Sequence, residues 1–301
     1  MNRVDIKIGF KCNNHCQFCV QGDKRFKYEN RTIKQIRDSL KKASKQGIEG
    51  VVFTGGEPTI HPDILQAVSI AKDLGFKSIQ IQSNGRMFAY FDFCKNLINA
   101  GVNEFSPALH SSKPEIHDEL TSSPGAWSQV IQGINNLKLL GQYVLTNTVI
   151  TSKNYQDLPN LARLLVKLDV NQFQFAFPHI LGTANKNKDW LIPRISQIMP
   201  YVKKGLDIGL NASKIVMTEA IPYCLMQGYE EYIAEKVIPQ TKVVDAESII
   251  ENYTAYRVSQ GKAKGEKCQV CSYNKLCEGP WKEYPEIYGW AEFIPILQKR
   301  L

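Results

Sequence analysis

The chain lacks any run of roughly 18 consecutive apolar residues, the length needed to span a bilayer as a helix. It also lacks the pattern of a secretory signal, because the first five residues lead straight into a strand-like alternation. No internal repeat and no low-complexity tract is obvious, which argues against a repeat or fibrous protein. We therefore expect a globular, cytoplasmic protein without a membrane partner.

Long runs of charge of one sign are also missing. The net charge is +8, but the lysines and arginines are scattered along the 301 residues. The tightest group is Lys262, Lys264 and Lys267, in a glycine-containing stretch. A concentrated basic patch would favour nucleic acid or another anionic partner. The scattered pattern instead favours an ordinary basic surface, over a core that a 43% hydrophobic composition can supply.

Cysteine is the residue that needs an explanation, because structural disulfides do not persist in the cytosol. Seven of the eight cysteines fall into two groups, one near the start of the chain and one near its end. Cys94 stands alone on a predicted helix and is expected to be a small buried apolar residue. Metal or cluster ligation accounts best for the other seven.

Short apolar runs alternate with amphipathic helical segments up to about residue 190. The predicted strands are Val4–Phe10, Val51–Phe53, Ser78–Gln82, Asn103–Ala108, Tyr143–Ile150 and Gln172–Phe177. Thr32 and Gln35 form a capping box at the start of one helix, and glycines at 47, 75, 101 and 141 mark helix ends. Repeated βα units with short loops predict a parallel sheet, open or closed into a barrel.

This rhythm is expected to break after residue 190, where the chain becomes richer in proline. The interruptions are Pro193, Pro200, Pro222 and Pro239, and three cysteines then follow within residues 268–277. The sequence thus predicts a core over residues 1–190 and an appendage over residues 191–301 that a metal centre organises.

The first cysteine group is the segment CNNHCQFC, residues 12–19, directly after the first predicted strand. Thiolates of Cys12, Cys16 and Cys19 on one short loop can bind one face of a four-iron cluster, which leaves one iron without a protein ligand. An open coordination position is where a substrate binds a metal. The alternative is a zinc knuckle with His15 or a remote residue as fourth ligand. A ferredoxin-like site would require four cysteines.

The second predicted strand ends in Gly55-Gly56-Glu57-Pro58, about 40 residues after the cysteine segment. Glycines expose backbone polar groups and permit close approach of a ligand, and a glutamate accepts hydrogen bonds from an ammonium group. Together the two motifs resemble those of the radical SAM superfamily. That resemblance implies that residues 55–58 hold the methionine amino group of S-adenosylmethionine (SAM), and that Phe18 fills the aromatic position before the third cysteine.

The other predicted strands also end in polar residues, glycine or proline, where parallel βα folds place their ligands. The resemblance implies that Ser83 and Asn84 lie near the methionine or ribose of SAM, and that Asn147 and Val149 lie near its ribose and adenine. Each of these residues has an alternative interpretation as a turn or barrel-filling residue. His110 and His179 face either the substrate or the interior of the fold.

The second cysteine group contains Cys224 and a compact segment with Cys268, Cys271 and Cys277, which are close enough in sequence to share one metal centre. It resembles the cysteine core of SPASM and twitch extensions, which bind auxiliary iron–sulfur clusters in radical SAM enzymes. The SPASM pattern continues with a cysteine where this chain has Trp281. With Cys224 as fourth ligand, the set completes one auxiliary 4Fe-4S cluster and not two. A four-cysteine structural zinc site is the alternative.

The resemblance implies a partial (β/α)6 TIM barrel with a small C-terminal iron–sulfur extension. It implies an enzyme that cleaves SAM reductively at a 4Fe-4S cluster and abstracts a hydrogen atom from a substrate, with an electron donor such as flavodoxin or ferredoxin. Oxidative modification of a peptide or protein is the expected reaction. The alternatives are an enzyme of cofactor, nucleotide or tRNA modification, and a non-catalytic zinc or cluster protein that binds nucleic acid. No residue is expected to act as an acid or base in the first step.

Overall fold

The structure is a computed structural model that describes residues 2–297 of the chain. Several strands alternate in burial, with one face packed under helices and the other turned toward the middle of the fold, whereas the strands at 50–55 and 241–244 are buried along nearly their whole length. The strands are β1 Arg3–Gly9, β2 Gly50–Gly55, β3 Ser78–Ser83, β4 Glu104–Pro107, β5 Leu145–Val149, β6 Gln172–Ala176, β7 Ile215–Glu219, β8 Thr241–Val244 and β9 Ile249–Ile250. All six strands predicted from the sequence are confirmed, as β1 to β6.

The helices follow the strands in the order expected for repeated βα units. They are α1 Lys24–Lys27, α2 Ile33–Lys45, α3 Ile64–Asp73, α4 Phe91–Ala100, α5 Pro114–Thr121, α6 Ala126–Leu139, α7 Leu158–Lys167, α8 Gly182–Lys186, α9 Lys188–Leu191, α10 Ile195–Asn211, α11 Tyr253–Tyr256 and α12 Glu283–Tyr288. The capping box at Thr32 is formed, since its side chain accepts from the Gln35 amide and the Gln35 side chain accepts from the Thr32 amide.

The strands form a parallel, partly closed barrel. One sheet has the order β4-β3-β2-β1-β8-β9 and the other the order β5-β6-β7, and every pair except β8/β9 is parallel. Parallel bridges from Phe105 to Val144 and from Ala108 to Asn147 join the two sheets. Between β7 and β8 no strand ladder closes the ring within residues 2–297. The fold is therefore the predicted partial α/β barrel.

The βα alternation continues beyond residue 190, where the sequence predicts the core to end. Helix α10 packs on α7, and β7 pairs in parallel with β6. Pro200, counted above among the interruptions, lies inside α10. Glycines 205 and 209 of that helix lie against the rings of Phe175 and Phe173, so that α10 covers the outer face of β6. Residues 195–219 thus extend the barrel by one more βα unit.

The last part of the chain packs back onto α10. The Ile195 amide donates to the Tyr284 hydroxyl at 2.8 Å, and the Tyr288 hydroxyl donates to the Ile192 carbonyl at 2.6 Å. Arg257 and Glu278 form a two-pronged ion pair whose side chains are 2% and 11% exposed. In the described part of the chain no helix is both long enough and apolar enough to cross a membrane.

Candidate functional site

The first cysteine group lies on the loop that follows β1, at the carboxyl edge of the barrel. Burial raises the pKa of the Cys16 thiol, and the neighbouring thiols of Cys12 and Cys19 raise it further. Burial also raises the pKa of Cys12. The three sulfurs are therefore close enough to repel one another as thiolates. Soft anionic donors grouped in this way fit an iron–sulfur cluster, whose positive iron ions offset that repulsion.

Two arginines hold this cysteine loop from either side. Arg86, just after β3, donates to the Asn13 carbonyl and, at 3.1 Å, to Asn14 Oδ1. Arg25 in α1 donates to the Asn14 carbonyl. Asn84 Nδ2 donates to Asn13 Oδ1 at 2.6 Å. Neither arginine is predicted from the sequence, because scattered basic residues carry no signal of their own. The position of Arg86 directly after Ser83-Asn84-Gly85 is the one clue that was available.

Gly55 and Gly56 are required where β2 ends against the same loop. A Cβ on Gly55 would lie 2.0 Å from the Gly9 carbonyl oxygen, and one on Gly56 would lie 2.2 Å from the Phe10 carbonyl oxygen. Gly55 also has a φ of +133°, a conformation that side chains disfavour. The close approach is therefore between two backbone segments, β2 and the cysteine loop. This contact fixes residues 55–58 relative to the cysteine loop.

Glu57 is buried, 3% exposed, at the centre of this strand edge. Its Oε1 accepts from the Thr59 amide at 2.9 Å, from the Thr59 hydroxyl, and from the Ser83 hydroxyl at 2.8 Å. Among residues 2–297, its Oε2 accepts only from the Asn84 amide, at 2.6 Å, and so retains capacity for another donor. Burial raises the pKa of Glu57, and these hydrogen bonds lower it. Pro58 begins the short turn that follows and is buried.

We expect Glu57→Gln to weaken SAM binding roughly tenfold to a hundredfold, because the new amide loses the charge and turns a donor toward other donors. The dissociation constant of SAM and the iron content of the reconstituted protein are the measurements. Ser83→Ala is the matched control, since it removes one hydrogen bond to Glu57 and keeps the charge, so its effect should be smaller. Equal SAM affinity in Glu57→Gln and the unaltered protein would assign the residue to loop structure alone.

Phe18, His110 and Val149 meet beside the cysteine loop. The Phe18 ring lies edge-on to the His110 ring with centroids 4.6 Å apart, and the Val149 amide donates to His110 Nδ1 at 3.3 Å. Burial holds the pKa of His110 well below its usual value. His110 is thus a neutral acceptor that ties β5 to the end of β4. Asn147, two residues before Val149 on the same face of β5, is directed toward the lumen of the barrel.

The second cysteine group also comes together. Cys224, Cys268, Cys271 and Cys277 line one cavity that contains about 410 Å³ of space free of atoms, part of it open to solvent. Burial and the neighbouring sulfurs of Cys277, Cys271 and Cys268 raise the pKa of Cys224 to about 12. Four mutually repelling soft donors around a cavity fit an iron–sulfur cluster. Cys94 lies elsewhere, fully buried in α4, where its thiol donates to the Phe88 carbonyl at 3.1 Å.

Within residues 2–297, no group of three or more histidine, cysteine, aspartate or glutamate side chains forms a site for a single metal ion.

Trp281, which occupies the position of the SPASM cysteine, is buried between the side chains of His179 and Lys262. The His179 ring stacks on one face with centroids 3.8 Å apart, and Lys262 Nζ lies 4.0 Å from the ring centroid. Trp281 Nε1 also donates to the Phe177 carbonyl at 3.4 Å, so the last part of the chain packs against the end of β6 at this point.

The lumen of the barrel is polar, whereas barrels of this kind are usually filled by branched aliphatic residues. On β6 and β7, Phe173, Phe175 and Val216 are buried and pack toward α10. The residues between these buried positions are partly exposed and face the lumen. On β1 and β4 to β7, the lumen residues with polar side chains are Arg3, Asp5, Lys7, Glu104, Asn147, Gln172, Gln174 and Glu219. A lumen of this composition can bind a polar molecule through many hydrogen bonds.

Among proteins of known function, the chain is similar to enzymes named GTP 3′,8-cyclase. It is 31% identical over 169 residues to a probable GTP 3′,8-cyclase of Thermococcus kodakarensis, covering 56% of this chain and 54% of that protein. It is 29% identical over 208 residues to the GTP 3′,8-cyclase of Aquifex aeolicus, covering 66% of this chain and 63% of that protein. The similarity thus spans somewhat more than half the length of these relatives.

Solved structures share the fold over nearly the whole chain. Streptococcus suis SuiB bound to the precursor peptide SuiA superposes with a TM-score of 0.71 at 16% identity, over 99% of this chain and 76% of that one. The enzyme anSMEcpe with bound AdoMet and Cp18Cys peptide superposes with a TM-score of 0.66 at 15% identity, over 93% and 89%. The family model of the radical SAM superfamily matches residues 6–165, which contain the first cysteine group and the Gly55–Pro58 motif. The chain belongs to the radical SAM superfamily.

Proposed function

We propose that Cys12, Cys16 and Cys19 hold the 4Fe-4S cluster of this enzyme and leave one iron open to SAM. The observation that carries this proposal is that the three thiols, the Glu57 carboxylate and Asn84 all lie at one edge of the barrel. Glu57 and Ser83 would hold the methionine end of SAM, and Val149 would lie near its adenine. When bound, the cluster and SAM supply the deoxyadenosyl radical that abstracts a hydrogen atom from the substrate.

The protein's own part in this reaction is positioning and shielding. Arg25, Arg86 and Asn84 hold the cysteine loop through its backbone and side-chain oxygens, so that the open iron would face the SAM-binding edge. Phe18 is buried against His110 and would keep water away from one side of the cluster. No side chain is assigned as an acid or base.

We further propose that Cys224, Cys268, Cys271 and Cys277 hold an auxiliary 4Fe-4S cluster. Their common cavity and mutual repulsion support this assignment. Such a cluster supplies an acceptor for one electron, which would make the net reaction oxidative. An external carrier such as flavodoxin or ferredoxin would deliver the electron that cleaves SAM.

For the substrate, the comparisons favour a small polar molecule of nucleotide or cofactor metabolism over the peptide or protein that was expected from the cysteine-rich tail. The relatives similar in sequence are named as enzymes that act on GTP. The peptide-bound neighbours are 15–16% identical, which supports a common fold and not a common substrate. The amide and carboxylate groups of the lumen also suit a nucleotide-sized ligand better than an apolar peptide side chain.

A turnover assay separates these substrate classes. Anaerobically reconstituted protein is incubated with SAM, dithionite and one candidate at a time: the four ribonucleoside triphosphates, or a mixture of unmodified peptides. We expect a nucleotide to raise the rate of deoxyadenosine formation, and a deuterated form of that nucleotide to transfer deuterium to deoxyadenosine. Stimulation by peptides alone would reject the nucleotide proposal and restore the peptide one.

A further inference from the structure

Three lumen side chains on neighbouring strands form one hydrogen-bonded set. Asn147 on β5 is in register with Gln174 on β6, and Glu219 ends β7 on the same face. Gln174 Nε2 donates to Glu219 Oε2 at 2.6 Å and to Asn147 Oδ1 at 3.4 Å. Because a carboxylate only accepts, Gln174 must turn its nitrogen toward Glu219, and Asn147 must then present its oxygen to Gln174. The orientation of both amides is thus fixed. We call these residues the amide–carboxylate row.

The remaining polar atoms of this row are free to bind a ligand. Asn147 Nδ2, Gln174 Oε1 and Glu219 Oε1 have no hydrogen-bond partner among residues 2–297, while their side chains are partly exposed to the lumen. In strand order the row therefore presents a donor, an acceptor and an acceptor. The two internal hydrogen bonds hold the three side chains next to one another, as recognition of a single planar ligand edge would require.

We propose that the amide–carboxylate row recognises the 2-amino-4-oxopyrimidine edge found in guanine and in pterins. In this arrangement the ring carbonyl accepts from Asn147 Nδ2, and the ring N–H and the amino group donate to Gln174 Oε1 and Glu219 Oε1. Adenine does not offer this order of donors and acceptors, and a guanidinium group has no acceptor. The inference rests on the proposed nucleotide function and names the part of the substrate that is recognised. It assigns Asn147 to the substrate instead of to the ribose of SAM.

The position and charge of the row agree with this role. Val149, Ala176 and Glu219 are in register at the carboxyl ends of β5, β6 and β7, the edge that also carries residues 55–58. The base would therefore lie on the SAM side of the lumen. Burial and nearby Glu235 raise the pKa of Glu219, while Lys262 and Arg257 from the last part of the chain lower it. Burial is the largest of these influences, so the pKa of Glu219 is raised overall, and N–H donors from a bound ligand would stabilise its carboxylate form.

Equilibrium binding tests the inference without turnover. The protein with its clusters reconstituted is titrated, in the absence of reductant, with GTP, ITP, ATP, neopterin and L-argininamide. ITP keeps the carbonyl and ring N–H but lacks the amino group. We expect GTP to bind roughly tenfold or more tightly than ITP, and ATP to bind more weakly still. Neopterin binding without GTP binding would support the same edge in a pterin substrate.

Variants link the discrimination to the row. Glu219→Gln should weaken GTP binding roughly tenfold to a hundredfold and ITP binding less, because the carboxylate oxygen that meets the amino group is lost. Glu49→Gln is the matched control, because Glu49 precedes β2 at the opposite edge of the barrel and forms an ion pair with Lys77 there. Its GTP affinity should not change. Equal affinities for GTP, ITP and ATP, or argininamide binding as tightly as GTP, would overturn the inference. SAM cleavage in the same preparation tests the proposed function separately.

Discussion

Replacing Cys12, Cys16 and Cys19 together by alanine is expected to abolish deoxyadenosine formation from SAM with dithionite as reductant. Without these thiolates no cluster is held at the carboxyl edge of the barrel, and no electron reaches the sulfonium group. The expected loss is complete and not partial, because the residual positioning of SAM by Glu57 and Asn84 supplies no reductant. The measurements are deoxyadenosine by chromatography and iron per chain after anaerobic reconstitution.

Cys94→Ala is the control for this triple variant. Cys94 is fully buried in α4 and bonded to the Phe88 carbonyl, so its replacement should lower stability slightly and leave SAM cleavage intact. SAM cleavage that persists in the triple variant would contradict the assignment of the cluster site. Loss of activity in Cys94→Ala with full iron content would show that the assay responds to folding and not to the cluster.

The sequence predicted the barrel strands well because each combines an apolar run with a polar or glycine-rich end. Burial decides such segments locally: Val4, Ile6 and Ile8 are all at most 1% exposed on one face of β1. The sequence does not predict β7 and α10, because the prolines around them suggest breaks in the pattern. Pro200 is the sixth residue of α10. A proline lacks the amide that a helix interior needs, and its ring crowds the preceding turn, so the sequence suggests a helix end there. Packing of α10 against α7 nevertheless keeps the helix continuous.

The sequence predicts only those parts of the site whose residues form a short contiguous motif. The cysteine spacing and Gly55–Pro58 gave positions that the structure brings to one barrel edge. Arg25 and Arg86 donate hydrogen bonds to backbone carbonyl oxygens of the cysteine loop. In the sequence nothing distinguishes them from the other basic residues, so these contacts could not be predicted. The amide–carboxylate row joins residues from three strands, whose register depends on the whole sheet. Long-range pairing of this kind leaves no local pattern.

The cavity of the second cysteine group leads to the other large effect. If each cysteine group holds a 4Fe-4S cluster, the reconstituted protein should contain about eight irons per chain, the ordinary content of two cysteine-ligated four-iron clusters. Cys271→Ala and Cys224→Ala should each remove about half of that iron, and the Cys12/Cys16/Cys19 variant should remove the other half. Ser272→Ala, next to Cys271 and bonded to the Ile296 carbonyl, is the control and should retain all of it.

The same variants should also loosen the end of the chain. Between Gly265 and Glu278 the backbone forms a short 3₁₀ helix and turns, and Val270 and Leu276 are 65% and 67% exposed, so apolar burial contributes little there. A bound cluster would then supply much of the order of this segment, since the free energy of metal binding is also free energy of folding. Limited proteolysis should therefore cut Cys271→Ala within residues 265–282 much faster than Ser272→Ala.

Two results of the metal analysis would contradict the auxiliary cluster or its ligands. Zinc in place of iron in the reconstituted protein would make the tail a structural site and remove the electron acceptor from the mechanism. Full iron content in Cys224→Ala would show that another ligand completes the cluster.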